Sequence, residues 1–296
     1  CTSEWGVETK DINFLHFLVK LDFEERALTA GTNKMYRIEG GLSRMVRLLG
    51  ERVQGVVPGA SLKLEHQLIA IRARPNGYEC TFRTPKGSDT VVARQIICTL
   101  PWSTLKDVDG FQGLELTTET KNLITNSAYA SHSKVAASFK DPFWKKKTAG
   151  LPTQQGIFRG DLKGVSYWDS SRGQPGQHGI ITGQRGGKAG AELGIDALNE
   201  TVKDLQNFRK DIAAPENFQS LNWSQKPFAK GSRYNANPGS YLVYVAAINA
   251  QVPKNSFYLA GEHMSFRDAG TMNGAIQTAY AAAEKAMQKV PVKHSV

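Results

Sequence analysis

Apolar residues recur along this chain at helical and strand spacing in alternating blocks. Phe14, Phe17, Leu18 and Leu21 share one helical face within an irregular stretch over residues 1–35. Residues 36–38 lead into Gly40-Gly41, after which Leu42, Met45, Leu48 and Leu49 line a second helix that stops at Gly50. A β-meander follows. Residues 68–73 alternate, Asn76-Gly77 marks a hairpin, residues 78–83 return, and Lys86-Gly87 turns the chain again. Residues 91–100 read as one apolar strand ending at Pro101, and residues 134–139 as another, broken at Asp141-Pro142. Leu198, Val202, Leu205 and Phe208 predict an amphipathic helix. Residues 240–248 and 256–260 read as strands, the second running into Gly261-Glu262. An Ala-rich helix begins near Gly274 with Ile276, Ala279, Tyr280, Ala283 and Met287 on one face. Helices and strands mix throughout, which predicts an α/β (α+β mixed) protein.

Composition narrows the classes. The 296 residues, 40% of them hydrophobic, make one large or two ordinary domains at roughly 150 residues each, with a core that needs no disulfides. No apolar run approaches the ~20 residues of a membrane span. Cys1, Cys80 and Cys98 have neither disulfide-framework nor zinc spacing, and His16, His66, His132, His178 and His294 show no metal pattern. The chain starts at Cys1 without Met or a signal pattern, so it reads as a processed product or a fragment, and its compartment stays open. The glycosylation triplets at residues 199–201 and 222–224 are chance-level matches. A net charge of +10 fits nucleic acid, an anionic partner or an anionic cofactor. The basic residues are scattered, however, and the lysines at 145–147 read as a solvated edge after Phe143-Trp144, so a nucleic-acid partner is not expected.

The strand–Gly-Glu–loop–Gly–helix run near the end offers the clearest chemistry. A helix N-terminus presents free N–H groups and the positive end of the helix dipole. Gly270 and Gly274 would admit a flat or anionic ligand to the backbone; an ordinary helix entry has the same features.

Residues 257–275, FYLAGEHMSFRDAGTMNGA, resemble the C-terminal flavin signature of the monoamine oxidase and L-amino acid oxidase superfamily. Four further segments agree in the family's order. They are IEGGLSRMVRLLGERV at 38–53, IICTLPW at 96–102, SKVAASFKDPFW at 133–144 and WSQKPFAKGSRYNANPG at 223–239. The resemblance implies a bilobed fold with FAD as cofactor. Residues 1–24 would be a helical part of the substrate domain, 25–123 part of the FAD-binding domain, 124–225 substrate domain and 226–296 the C-terminal FAD-binding part. Family members open with strand, Gly-x-Gly-x-x-Gly and helix around the pyrophosphate. This chain has no such motif, and its glycine cluster at 183–194 does not follow the pattern. A separate N-terminal chain carrying it is therefore expected, in a higher oligomer of the heterodimer.

The resemblance also assigns roles. Lys134 matches the lysine that holds a water beside flavin N5. An ammonium in an apolar strand is costly unless paired, and its charge would stabilise negative charge developing as oxygen accepts electrons. Glu262 would accept hydroxyl hydrogen bonds from the ribityl or ribose region, with Gly261 permitting the turn. Thr271 and Met272 fall where backbone N–H groups meet the flavin O2 edge. Leu68 matches a position contacting adenine, with Gly40 and Gly41 packed near it, and Thr99 and Pro101 belong to the family's Thr-x-Pro strand end. Trp223 matches a tryptophan near the isoalloxazine, or is plain core. Ser232 stands where some relatives tether the flavin through cysteine, so FAD would be noncovalent here. Arg233 and Thr271 stand where monoamine oxidases place two tyrosines. Arg233 would pair bidentately with a substrate carboxylate or lie on the surface, and Tyr167, Trp168 and Asp169 would line the pocket. His263 reads as packing near the cofactor. The implied reaction is oxidative deamination of an L-amino acid or primary amine by oxygen, giving imine, then a carbonyl compound, ammonia and hydrogen peroxide. A noncatalytic flavin-fold subunit is the alternative.

Overall fold

The structure is a computed structural model and describes residues 2–29, 36, 38–56, 59–145, 158–159, 165–249 and 256–288. In chain order the elements are α1 (Thr2–Trp5), α2 (Phe14–Thr29), α3 (Leu42–Val56), β1 (Gln67–Arg74), β2 (Gly77–Thr84), β3 (Gly87–Ala93), β4 (Ile96–Cys98), α4 (Trp102–Leu105), α5 (Thr118–Thr125), β5 (Ala128–Tyr129) and β6 (His132–Phe139). Then follow β7 (Phe158–Arg159), β8 (Ser166–Asp169), β9 (Gly179–Gly186), α6 (Gly187–Ala191), α7 (Ala197–Phe208), β10 (Asn217–Asn222), β11 (Tyr234–Asn235), α8 (Tyr241–Asn249), β12 (Phe257–Leu259) and α9 (Met272–Gln288). The mixed α/β class expected from the pattern is the class observed.

Two large hydrophobic cores organise most of these elements, and a small cluster of Tyr258, Ala260, Ala282 and Ala286 packs α9 beside β12. The first gathers Ile71, Tyr78 and Cys80 of the meander, Cys98, Trp102, Leu105 and Ile124, and the distant Tyr234, Tyr244, Phe257 and Leu259. Its backbone seam is the parallel pair β4–β12, with Ile96 opposite Phe257 and Cys98 opposite Leu259. Its centre is aromatic: Trp102 is fully buried and meets Tyr234 at 5.1 Å, His263 at 5.0 Å and Tyr244 at 6.3 Å between ring centroids. The second core lies between α7 and one face of a five-stranded antiparallel sheet ordered β10-β6-β9-β8-β7. Strand alternation supplies it, because Val135, Ala137 and Phe139 of β6 and Ile181 of β9 all point to the α7 side.

The meander forms as its turns predict, with Arg74 paired to Gly77 and Thr84 to Gly87. The predicted strand at 91–100 is instead two. β3 stays in the meander, and after Arg94-Gln95 the chain leaves it so that β4 can pair with β12. Residues 240–248, read as a strand, are the helix α8. An apolar run of Tyr, Val and Ile suits either state locally; here Tyr241, Tyr244 and Ala247 face the core at helical spacing while Leu242 and Val243 face out.

Three helices turn their expected apolar faces outward. On α2, Phe14, Leu18 and Leu21 are exposed while His16 is buried. No residue of α3 is buried, and Leu42, Leu48 and Leu49 are all exposed. On α9 the chain packs Gly274, Ala282 and Ala286 and exposes Ile276, Tyr280 and Met287. Helix α7 buries Ala197, Thr201, Asp204 and Leu205, a face rotated from the one predicted. Of the two triplet asparagines Asn222 is buried and Asn199 is exposed, with Thr201 buried. Cys80 and Cys98 are buried free thiols. Cys1, His294 and the lysines after Lys145 lie outside the described residues. No described helix is long and apolar enough to cross a membrane.

Trp102 joins the first core's separate segments, so Trp102→Ala should lower unfolding free energy by about 3–5 kcal/mol, the usual range for emptying a large aromatic site. Urea denaturation would measure it; a loss under about 1 kcal/mol would show that the hub tolerates collapse.

Candidate functional site

The five-stranded sheet has a second face, turned away from α7. Cross-strand register places Lys134 opposite Gln184, and Gln184 opposite Ser166, in one row. Two residues along, Trp168 pairs with Thr182 on the same face. Lys134 Nζ sits 5.6 Å from the centre of the Trp168 ring, within reach of a cation–π attraction. Lys134 is exposed, so it is not the buried ammonium that its apolar strand suggested. Alternation gives β6 a core side and an open side, and Lys134 lies on the open side. The same alternation removes Tyr167 from the pocket. Tyr167 is fully buried on the α7 side, where its hydroxyl donates to Asp204 Oδ2 at 2.9 Å. Asp169 also shares that parity, and its Oδ1 accepts from Ser171 N and Oγ.

At the end of this sheet, four distant segments meet around residues 231–235. Ser232 N donates to Ala130 O, and Ala130 N to Arg233 O, each at 2.8 Å. On the other side Tyr234 N donates to Glu262 Oε1 at 2.8 Å, while Gly270 N donates to Glu262 Oε2 at 2.7 Å. Arg233 donates to Glu4 O at 2.5 Å, lies 5.5 Å from the Trp5 ring centre, and packs its stem beside Gly270. Its guanidinium is thus engaged by the chain itself.

Charge at this junction is constrained by burial. Desolvation raises the Glu262 carboxyl above its ordinary range, opposed by the two backbone N–H groups and Arg233. Desolvation, with Arg233 second, lowers His132 to about 4. His16 falls to about 4 through desolvation, Arg233 and Lys20. His132 Nδ1 lies 2.6 Å from Ser232 Oγ and Nε2 lies 3.2 Å from Glu4 O. The Ser232 hydroxyl gives its one proton to Ala130 O at 2.8 Å, so in the neutral ring Nδ1 carries the proton and donates to Ser232 Oγ. His263 is buried against Trp102, and burial lowers it to about 3. It is a neutral packing residue.

The remaining predicted residues are spread more widely. Gly261 has φ +138°, and a Cβ there would strike the His263 ring; Gly261 N donates to Thr278 Oγ1. Thr271 and Met272 are exposed at the first turn of α9, where Thr271 Oγ1 accepts from Gly274 N. The Met272 and Asn273 N–H groups find no backbone acceptor among the described residues. Gly40 and Gly41 form a left-handed turn before α3, φ +80° and +81°, and both are exposed. Leu68 is half-buried against the first core. Thr99 is exposed after β4, and Pro101 O accepts from Thr104 and Leu105 at the start of α4. Trp223, 38% exposed, is not plain core. Missed altogether were Gln184 and Ser166, the row-mates of Lys134; strand parity alone could have placed them on its face.

Residues 7–287 match the family model for flavin containing amine oxidoreductases. The chain belongs to this family. It is 24% identical over 277 residues to the flavin-dependent L-tryptophan oxidase RebO of Lentzea aerocolonigenes, covering 88% of this chain and 54% of that protein. It is 22% identical over 258 residues to polyamine oxidase 2 of Arabidopsis thaliana, covering 86% and 50%. Its fold resembles cyclohexylamine oxidase from Brevibacterium oxydans IH-35A, with TM-score 0.61, 22% identity and coverage of 75% and 48%. The chain therefore spans about half the length of these proteins. The cofactor that the family implies is FAD, and the residues present fit its flavin end. The open first turn of α9, with free N–H groups and the positive end of the helix dipole, suits the carbonyl edge of a flat ring. Gly261 and Gly270 keep the adjoining turns free of Cβ atoms.

The depressed histidines make a pH prediction. Above pH ~6.5, the ordinary histidine value, His16 and His132 are neutral folded or unfolded and stability does not depend on them. Between about 6.5 and 4 the unfolded chain binds protons that the folded chain refuses, so stability falls as pH falls, by up to ~3 kcal/mol per histidine. Urea midpoints at pH 7.5 and 5 should therefore separate, and His132→Gln should narrow the gap. Equal midpoints would mean that these rings protonate freely in the folded protein.

Proposed function

We propose that this chain is the substrate-oxidising part of an FAD-dependent oxidase that deaminates an L-amino acid or primary amine with oxygen as acceptor. The observation that carries the reading is exposed Lys134 beside Trp168 on the sheet face turned away from α7. A cation is placed there next to an indole ring. When bound, FAD supplies the hydride acceptor. The chain's own residues supply the surroundings. Trp168 gives an apolar wall that favours the uncharged amine. Lys134 holds a water and a positive charge where oxygen takes up electrons. The first turn of α9 offers its N–H dipoles to an electron-rich ring edge. Ser232, in place of a tethering cysteine, leaves FAD held without a covalent bond.

The grip on the ADP half comes from outside these residues in this proposal, through a stretch bearing Gly-x-Gly-x-x-Gly. Its support is the exposed apolar faces of α3 and α9 and the two-stranded parallel pair β4–β12. Parallel strands are ordinarily buried on both faces within larger sheets. In this proposal the completing segment docks on these exposed stripes.

Peroxide release by the complete, flavin-loaded protein against matched panels of L-amino acids and their decarboxylated amines should reveal one active class. No turnover on either panel, or no bound flavin, would remove the proposal. Lys134→Met should slow the oxygen-consuming half-reaction about 10²-fold, the scale of deleting one fixed electrostatic stabiliser, while anaerobic substrate oxidation changes modestly. Stopped-flow absorbance separates the two, and an unchanged oxygen step would show that Lys134 has another role.

A further inference from the structure

Residues 2–8 are held to distant parts of the chain by hydrogen bonds and ring contacts. Ser3 O accepts from Gln184 Nε2 at 2.7 Å, and Ser3 Oγ lies 3.0 Å from Ser166 Oγ. Glu4 O accepts from Arg233 at 2.5 Å, and His132 Nε2 lies 3.2 Å from the same oxygen. Gly6 O accepts from Ser131 N at 2.7 Å, and Glu8 Oε1 from Lys188 N at 2.9 Å. The buried Trp5 ring carries Arg233 at 5.5 Å and Lys20 at 5.0 Å, with His16 edge-on at 5.3 Å.

The seat for this segment is the glycine run at 183–194 that matched no nucleotide motif. A Cβ on Gly186 would stand 2.0 Å from Thr2 O, and one on Gly187 would stand 2.4 Å from Glu8 Oε1. Side chains are therefore excluded there so that the segment can lie against β9 and α6. Its position also matters for chemistry. Gln184 and Ser166, which hold Ser3, occupy the same cross-strand row as Lys134. Ser3 thus closes that row, one strand away from the lysine.

We infer that Gln184, Arg233 and Gly186 are positioning residues that seat residues 2–8 as the end wall of the Lys134–Trp168 site. Arg233 serves the wall, through Glu4 and Trp5, rather than clamping substrate. The wall's effect on substrate rests on the proposed oxidase function; the seating does not.

Gly186→Ala probes the seat directly. At φ −129° and ψ 171° the backbone accepts alanine without strain, so only the packing of Thr2 is disturbed. In the complete flavin-loaded protein, hydrogen exchange at residues 2–8 and at the Ser131 and Lys188 amides should quicken about 10-fold or more as the segment opens locally. KM for the substrate should rise about 10-fold with kcat within about twofold, the signature of lost binding common to ground and transition states. Should Gly186→Ala fail to fold, Gln184→Ala removes one hydrogen bond without adding an atom, and exchange should quicken about fivefold. Unchanged exchange in a folded variant overturns the seating, and faster exchange with an unchanged KM overturns the wall. Arg233→Ala gives a third arm. If it raises KM for an amino acid but not for the matching amine, and leaves exchange at residues 2–8 unchanged, Arg233 binds substrate directly and the inference is wrong. A wild type that oxidises neither class sinks the proposed function, while the exchange arm still decides the seating.

Discussion

The position of residues 231–235 governs the rest of this molecule. This short stretch is bonded to Ala130 on one side and to Glu262 on the other. It is the bridge between the sheet that carries Lys134 and the turn that opens α9. A buried carboxylate is tolerable only when donors meet its oxygens. Glu262 meets that demand with N–H groups from Tyr234 and Gly270, so its need for partners fixes the relative placement of two loops. The aromatic hub around Trp102 then fills the space behind, with Tyr234 contributing both a backbone donor and a packed ring.

The same junction shows how burial sorts charge. Arg233 and Lys20 both lie over the Trp5 indole, and Lys20 Nζ also pairs with Glu4 at 3.2 Å and Glu24 at 3.9 Å. The two histidines beside them are held neutral first by desolvation and then by the nearby Arg233, joined at His16 by Lys20; at His132 these outweigh the opposing pull of Glu4. Specificity of position here comes from one arginine, one carboxylate and several backbone carbonyls, not from a network of surface ion pairs, which contribute little individually.

Much of this was legible in the sequence, for identifiable reasons. The meander was readable because its turns and its alternation are local. The five family segments carried the fold and the cofactor. Other features depended on contacts that local pattern cannot express. The β3–β4 break exists only because Ile96 pairs with Phe257 far along the chain. Helix α8 looks like a strand until its burial is seen at Tyr241, Tyr244 and Ala247. The stripes on α3 and α9 were read as apolar faces, and a stripe does show where a helix wants a neighbour; it does not say that the neighbour lies in these residues. Around the site, Lys134 was singled out by its motif. Tyr167 was misplaced because adjacent strand residues point to opposite faces, a rule the reading of Tyr167-Trp168 as joint pocket lining overlooked.

The β4–β12 seam has a consequence for how the chain is made. Its two strands are separated in sequence by the entire five-stranded sheet and the bridge that follows it. Parallel pairing across such a distance must await closure of a long loop, whose entropy is lost before the pairing rewards it. During synthesis the meander and α4 emerge first, with Ile96 and Trp102 facing a core whose other half has not yet been translated. The sheet domain with α7 can condense meanwhile, because its strands are neighbours along the chain. Loop-closure entropy therefore favours early formation of the five-stranded sheet, and the first core cannot close until β12 has been made.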